Sequence, residues 1–340
     1  MDEQLVTAMK EVNYTRYQSG QESGHYESFF QRANHPSLPL AFWIRYTIFS
    51  PDKNPERAIG EIWAVYFNGD TGNHVAVKRE VPFSKCDFKT TEFFAQIDEA
   101  TLQPGKLTGS AMSGGHEISW DLSFHGDVPP LFLLPLERYT GNFPKAKALV
   151  ALPLAVYNGS LSIDDERIEI KDWIGSQNHN WGARHTDRYL WGQVAGFDNN
   201  PDSFLEVATA RLKFGPLWTP PLSPLVLRYK GREFTLNSIP QMLRARGSFR
   251  YFVWNFRSKT KEISIDGTIS APRESFVGLN YYNPPGGSKH CLNSKIASCK
   301  LNVTYKEPGK PKLKEVLFTS HRAAFEILTD LRDHGIKIEV

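Results

Sequence analysis

The amino-acid sequence predicts an all-β protein built from two antiparallel β-barrels in tandem. In HEISWDLSFHG, apolar and polar residues alternate, so one face of a half-exposed strand carries Ile118, Trp120, Leu122 and Phe124. Branched and aromatic residues also dominate segments 40–49, 61–67, 224–230, 249–256, 262–270 and 294–305. Turn sequences such as NGDTGN, QPGK, YNGS and NPPGGS separate such segments. Many short strands joined by turns are typical of antiparallel all-β folds.

One segment near the C-terminus fits two structures. SHRAAFEILTDLRDHG is compatible with a helix that begins at Ser320 and places apolar residues of 324–331 on one side. It is equally compatible with a strand over 323–329 that ends in a DHG turn. We favour the strand, because a strand that closes a sheet removes an open edge.

The chain of 340 residues is long enough for two domains. Loop-like and turn-like sequences at 137–148 and 157–167 flank its midpoint, and the strand pattern restarts after them. We therefore expect an N-terminal β-domain over 1–165 and a C-terminal β-domain over 166–340. The proline-rich segment 213–225 is unsuited to a central strand, and we expect a long loop over a barrel mouth there.

Composition and charge narrow the class of protein. A net charge of +3 does not indicate a nucleic-acid partner. The acidic N-terminus lacks the basic and apolar regions of a secretory signal, so we expect a cytoplasmic protein. No apolar run approaches the ~20 residues of a spanning helix, so we expect no integral membrane segment. The cysteines Cys86, Cys291 and Cys299 lack CxxC spacing, and no histidine spacing converges on a metal, so we expect no metal site.

The most unusual stretch is GSQNHNWGARHTDRYLWGQVAGF, residues 175–197. A strand over 187–197 directs Tyr189, Trp191 and Gln193 to one face. In the strand before it, His179 and Trp181 share a face. The opposite face of that strand carries Asn178 and Asn180. Such a mixture of aromatic and polar groups is typical of the interior of a ligand-binding barrel or of a seam between barrels.

This stretch resembles the family that joins carotenoid 1,2-hydratases (hydroxyneurosporene synthases) to AttH-type proteins, a branch of the lipocalin-like calycins. Further similarity lies at 24–36, 42–51, 283–301 and 322–330, so the resemblance covers nearly the whole chain. It implies two lipocalin-like β-domains with an apolar cavity near their junction and no metal or organic cofactor. Relatives of this family include hydratases of isoprenoid double bonds and, more distantly, cyclases and pericyclases.

Hydration of an alkene needs an acid that protonates carbon, a group that stabilises the carbocation, and a base that takes a proton from water. The family's His-x-Trp motif carries over onto His179 and Trp181, whereas its tyrosine–aspartate pair has no clean match. Asp187 and Glu206 are available as stronger acids. The candidate catalytic residues are therefore these four, and the candidate substrate-binding residues are Asn178, Asn180, Tyr189, Trp191 and Gln193.

Three of the four catalytic candidates also have a structural interpretation. His179 is also interpretable as a buried imidazole that is hydrogen-bonded to a neighbouring carbonyl group, and Trp181 as an aromatic residue packed in the core. Asp187 fits an ion pair with Arg184 or Arg188 at a surface turn.

Glu27 and Arg45 are also candidates for a structural ion pair inside the first barrel.

At the level of function, two hypotheses stay open. One is a cofactor-independent enzyme that hydrates or cyclises an apolar isoprenoid or polyene substrate. The alternative is a lipocalin-type carrier that binds a hydrophobic small molecule unchanged. The sequence does not indicate an oligomeric state.

Overall fold

In the computed structural model, which describes residues 3–306 and 311–340, most strands lie in two large sheets. The first sheet has twelve strands: β1 (His25–Asn34), β2 (Leu40–Ser50), β3 (Ile59–Asn68), β4 (Val75–Pro82), β5 (Cys86–Phe88), β6 (Ala95–Ile97), β7 (Ala100–Gln103), β8 (Lys106–Ser113), β9 (His116–His125), β10 (Leu131–Phe132), β11 (Ala146–Ile163) and β12 (Glu166–Gly182). Neighbouring strands follow the order β4-β3-β2-β1-β12-β11-β9-β8-β7-β6-β5, and β10 pairs with β11.

The second sheet has ten strands: β13 (Arg188–Phe197), β14 (Asn200–Arg211), β17 (Leu225–Tyr229), β18 (Arg232–Leu236), β19 (Arg246–Arg250), β20 (Val253–Lys259), β21 (Ile263–Ser270), β22 (Val277–Tyr282), β23 (Ser288–Tyr305) and β24 (Leu313–Thr329). Their order is β18-β17-β14-β13-β24-β23-β21-β20-β19, with β22 on β23. A separate hairpin joins β15 (Lys213–Phe214) to β16 (Leu217–Trp218).

Helices are few and short in the described residues. They are α1 (Glu3–Lys10), α2 (Ile239–Arg244) and 3₁₀ turns at Pro55–Arg57, Phe83–Lys85, Leu136–Arg138 and Arg273–Ser275. Within the described part of the chain, none of the helices has the length and apolar character needed to cross a bilayer.

The two sheets are curled and form a barrel and a half-barrel. Each sheet surrounds its own apolar core, with Trp173 in the first core and Trp254 in the second. Further apolar clusters contain residues of both sheets. One of them includes Trp43 of β2 and Trp191 of β13. The predicted all-β, two-domain fold is confirmed, although one of the two predicted barrels is a half-barrel.

The strand that carries NHNWG is a central strand of the first sheet, where β12 pairs with β1 on one side and β11 on the other. Glycine is required at Gly175, because an added Cβ would overlap the carbonyl oxygen of Arg32. The predicted boundary between residues 165 and 166 falls in the turn between β11 and β12. Because hydrogen bonding ties β12 to β1, the motif lies in the first sheet, not in the C-terminal one as expected, and the chain changes sheets between Gly182 and Arg188.

Three sequence predictions bear on the surroundings of the cavity described below. The strand expected over 323–329 is confirmed, but β24 lies between β13 and β23 rather than at an edge. The single strand expected over 249–256 is wrong: β19 and β20 form a hairpin whose turn contains Phe252 at φ +72°. The proline-rich segment 213–225 holds the small β15–β16 hairpin, and Leu222 and Pro224 line the cavity.

Candidate active site

A cavity of about 360 Å³ lies between the two sheets. Much of its wall is apolar, for example at Leu133, Leu149, Ala208, Leu222 and Met242. Polar side chains line the rest in two groups. One group surrounds Glu206, and the other surrounds Arg45.

Glu206 on β14 is a buried carboxyl group in the cavity wall, only 2% exposed. Trp191 donates from Nε1 to its Oε1 at 2.7 Å, and Gln193 donates from Nε2 to its Oε2 at 2.8 Å. Burial raises the pKa of Glu206 to about 7, against the opposing effects of these two hydrogen bonds and the charge of Arg32. This carboxyl group therefore exchanges its proton near neutral pH while facing the cavity.

The side chain of Gln193 fixes the carboxyl group of Glu206 from the neighbouring strand. Its Oε1 accepts hydrogen bonds from Arg32 Nε at 2.7 Å and from Ser176 Oγ at 2.6 Å, both on the first sheet. These donors orient the amide so that Nε2 faces Glu206 and also donates to Asn178 Oδ1 at 2.8 Å. The position of Glu206 is therefore set by contacts across both sheets.

Two asparagines of the NHNWG motif line the cavity, because Asn178 and Asn180 lie on the face of β12 that meets the second sheet. Asn178 Nδ2 donates to Ser176 Oγ at 2.9 Å. Asn180 Oδ1 is buried and has no hydrogen-bond partner among the described residues. An unpaired buried acceptor is suited to a hydrogen bond from a bound water or ligand.

Tyr189 on β13 also lines the cavity, and its hydroxyl group donates to Glu326 Oε2 at 3.3 Å. The other oxygen of Glu326 accepts from Lys295 Nζ at 2.7 Å. Burial raises the pKa of Tyr189 well above its usual value, so the phenol stays protonated at physiological pH.

His179 borders the cavity, but its imidazole is engaged on the opposite face of β12. Nδ1 lies 2.6 Å from the carbonyl oxygen of Val12, and Nε2 lies 2.8 Å from Glu27 Oε1. The ring also stacks on Phe29 with centroids 4.2 Å apart. The structure thus places His179 as a buried, fully bonded imidazole rather than as a proton donor to the cavity.

Glu27 is the acceptor at the centre of this buried cluster. It also accepts from His25 and from the backbone N–H groups of Arg16 and Tyr17, at 2.8–3.0 Å. Burial opposes its ionisation, but the hydrogen bonds and charges of His179 and His25 lower its pKa to about 2. The cluster therefore ties the N-terminal segment to β1 and β12.

The two other predicted catalytic residues lie away from the cavity wall. Trp181 packs against Val12 and Leu149, with the guanidinium of Arg16 at 5.4 Å from its ring. Asp187 forms an ion pair with Arg184 and accepts a hydrogen bond from the backbone N–H of Lys213 at 2.8 Å. Both side chains therefore occupy structural positions.

Arg45 lines the cavity, whereas the sequence analysis expected it to form an ion pair with Glu27 inside the first barrel. The register of β1 and β2 places Glu27 opposite Ile48 and Phe30 opposite Arg45. Because residues three apart on a strand point to opposite faces, Glu27 and Arg45 are on opposite sides of the sheet, and the expected ion pair is wrong. Alternation along LAFWIRYTIF places Arg45 on the same face as Trp43, but only the register with β1 shows that Glu27 lies on the other face.

The geometry defines a class of protein: a two-sheet, all-β fold with a largely apolar cavity between the sheets and a few buried polar groups in the cavity wall. The same fold occurs in three solved structures: a putative AttH of Nitrosomonas europaea (12% identity, 90% of this chain and 91% of that chain, TM-score 0.53), kievitone hydratase of Nectria haematococca (12%, 95% and 95%, 0.56) and CghA (12%, 92% and 89%, 0.55).

In sequence, the chain is similar to two uncharacterized proteins of Mycobacterium tuberculosis, MT0513 of strain CDC 1551 and Rv0493c of strain H37Rv. Each is 24% identical to this chain over 282 residues, which is 83% of this chain and 82% of the relative. No family model matches the sequence. In the residues that the structure describes, no three histidine, cysteine, aspartate or glutamate side chains are grouped as metal ligands would be.

Proposed function

We propose that this protein is a cofactor-independent enzyme that hydrates or cyclises an apolar isoprenoid or polyene substrate, with Glu206 as the acid. The observation that carries the proposal is a carboxyl group, with a pKa raised by burial to about 7, in the wall of a largely apolar cavity. Such a group is partly protonated at neutral pH, and it borders space for a substrate. The fold shared with a hydratase supports the same assignment.

The proposed hydration begins with proton transfer from Glu206 to one carbon of a C=C bond. A new C–H bond forms, the π electrons leave the other carbon, and a carbocation results. The oxygen of a water molecule then forms the C–O bond, and the proton that this water releases returns to the Glu206 carboxylate. The net reaction adds one water to the alkene and leaves the enzyme unchanged. In a cyclisation, a second C=C bond attacks the carbocation in place of water and forms a C–C bond. The new carbocation then loses a proton to the Glu206 carboxylate, which gives an isomer of the substrate and restores the acid.

The other predicted cavity residues have supporting roles in this scheme. The rings of Tyr189 and Trp191 line the cavity, and aromatic faces stabilise a nearby cation by up to ~2 kcal/mol when water is excluded. The unpaired Asn180 Oδ1 is placed to accept a hydrogen bond from the attacking water. Gln193 does not line the cavity and acts by positioning Glu206. Asn178 holds Gln193 in turn.

The test compares two carboxyl groups that the sequence offered as acids. Wild-type protein, Glu206→Gln and Asp187→Asn are each incubated with a panel of polyenes and prenylated phenols, and the products are identified by mass spectrometry. We expect the wild type and Asp187→Asn to form a product that is heavier by one water, or an isomer of equal mass. We expect Glu206→Gln to be slower by about 10²–10⁴-fold. Equal turnover by Glu206→Gln would refute the proposal.

A carrier gives a different result in the same experiment. The panel compound would then bind to the cavity and be recovered unchanged from all three proteins. Binding is followed by quenching of tryptophan fluorescence, since Trp43 and Trp191 lie in the cavity wall. Tight binding without any product would overturn the enzymatic proposal in favour of a carrier.

A further inference from the structure

Arg45 is a buried cation in the cavity wall that forms no ion pair with a carboxylate of the described residues. The residue is 4% exposed. Its Nη2 donates to Ser28 Oγ at 2.6 Å, and its Nε has no hydrogen-bond partner among the described residues. A buried charge is normally paired, because removal from water is costly. The Nε donor and the positive charge of Arg45 are therefore not matched by an acceptor or a carboxylate of the described residues.

The two carboxylates whose charges act on Arg45, Glu61 and Glu326, are each paired with a lysine. Glu61 pairs with Lys78 at 2.6 Å, and Glu326 pairs with Lys295 at 2.7 Å. Both carboxylates act on Arg45 only through their charge at longer range. The positive charge of Arg45 thus remains available to a group that enters the cavity.

The groups around Arg45 are flat and aromatic. Its guanidinium lies 4.4 Å from the ring centroid of Tyr281 and 5.8 Å from that of Trp43. His185 stacks on Tyr26 with centroids 3.9 Å apart, and it faces Tyr281 at 5.7 Å. These rings leave a flat, apolar surface beside the cation, which suits a planar ligand group.

His185 adds no second positive charge to this group. Burial and the charges of Arg45 and Lys289 lower its pKa to about 3. The imidazole is therefore neutral at physiological pH, and the positive charge in this aromatic part of the cavity wall belongs to Arg45.

We propose that Arg45 binds an anionic oxygen, a carboxylate or an enolate, on a flat conjugated group of the substrate. This inference rests on the proposed function, because it takes the cavity as the place where the substrate binds. It adds that the substrate carries an anionic group. The anionic group would lie among Tyr26, His185 and Tyr281, and the apolar remainder would reach toward Glu206. A charge-assisted hydrogen bond to the guanidinium would supply the partner that Arg45 lacks.

The test uses two probes of the same shape and different charge, 2-naphthoate and 2-naphthamide. Their affinities at pH 7 are measured by calorimetry for the wild type, Arg45→Gln and Arg138→Gln. Arg138 also lines the cavity but is only half-buried, so it is a matched control. We expect the wild type and Arg138→Gln to bind naphthoate at least about tenfold more tightly than naphthamide. Arg45→Gln should lose this preference and still bind naphthamide.

Two further variants locate the binding and separate the two proposals. Ala208→Trp fills the cavity and should abolish binding of both probes. Glu206→Gln should keep the preference for naphthoate, since naphthoate binding does not depend on proton transfer, so the anion site can stand even if Glu206 proves inactive. Equal affinity of the wild type for both probes, no naphthoate binding at millimolar concentration, or a preserved preference in Arg45→Gln would each overturn the inference. If Arg45→Gln fails to fold, the wild type and Arg138→Gln still test the inference, because equal affinity for the two probes would overturn it.

Discussion

Replacing Glu27 by glutamine should make the protein less stable at neutral pH and much less sensitive to acid. Glu27 is fully buried and accepts hydrogen bonds from two histidines and two backbone N–H groups. These donors favour the ionised carboxylate over the neutral amide. The variant keeps the shape of the side chain and removes the charge.

The magnitude follows from the pKa of Glu27, which is lowered from an ordinary 4.5 to about 2. At 1.36 kcal/mol per pKa unit, this difference corresponds to about 3 kcal/mol of free energy of unfolding. A lowered pKa stabilises the folded state above the unfolded-state pKa. That stabilisation is present above about pH 5 and is lost as the pH falls toward 2.

The assay is denaturant unfolding followed by tryptophan fluorescence between pH 2.5 and 7. At pH 7, we expect the free energy of unfolding of Glu27→Gln to be about 3 kcal/mol lower than that of the wild type. The difference should shrink as the pH is lowered. The matched control is Asp164→Asn. Asp164 also bonds to a histidine and a backbone N–H, His116 and Glu117, but it is exposed to solvent. Asp164→Asn should change stability far less.

A constant difference between Glu27→Gln and the wild type at every pH would refute this reasoning. It would mean that the pKa of Glu27 is the same in the folded and the unfolded chain, for example because the unfolded chain retains the same contacts.

The remaining predictions concern the motif strand and the proposed acid. His179→Gln should lower the free energy of unfolding by about 3 kcal/mol, because it breaks the buried pair of His179 with Glu27. Turnover should stay within a few-fold of the wild type. Loss of turnover in folded protein would contradict the structural role of His179. Gly175→Ala should cost about 3 kcal/mol or more in thermal unfolding, because β1 and β12 must separate, whereas Gly141→Ala, which meets open space, should stay within about 0.5 kcal/mol. The rate constant kcat/KM should be constant well below pH 7 and fall about tenfold per pH unit well above it, as Glu206 loses its proton; a flat profile would exclude this acid.

The sequence predicted the fold well, because alternation of polar and apolar residues is a local property of each strand. It failed at 249–256, since a run of aromatic residues hides a tight turn at Phe252 when no glycine or asparagine marks it. It also missed that β12 pairs with β1, which is about 140 residues distant in sequence. Pairing over such distances leaves no local signal.

The site was only partly predictable for a related reason. Alternation correctly opposed His179 and Trp181 to Asn178 and Asn180. It did not show which of the two faces the second sheet covers. Groups from both faces were therefore expected in the ligand space, whereas the asparagines line it and the imidazole of His179 is hydrogen-bonded on the opposite face of β12. Glu206 was named as an available acid, but its importance comes from burial that only the packed sheets provide.

The hydrogen bonds from Arg32 and Ser176 to Gln193 have a consequence for how the two halves of the molecule evolve and assemble. They cross from one sheet to the other, and the amide they hold steers the carboxyl group of Glu206. Sliding one sheet past the other by a single residue would separate these donors from the Gln193 amide and leave the buried guanidinium of Arg32 without this acceptor. The interlocking polar pairs therefore select one alignment of the halves, and neither half can drift in sequence at these positions without a matching change in the other.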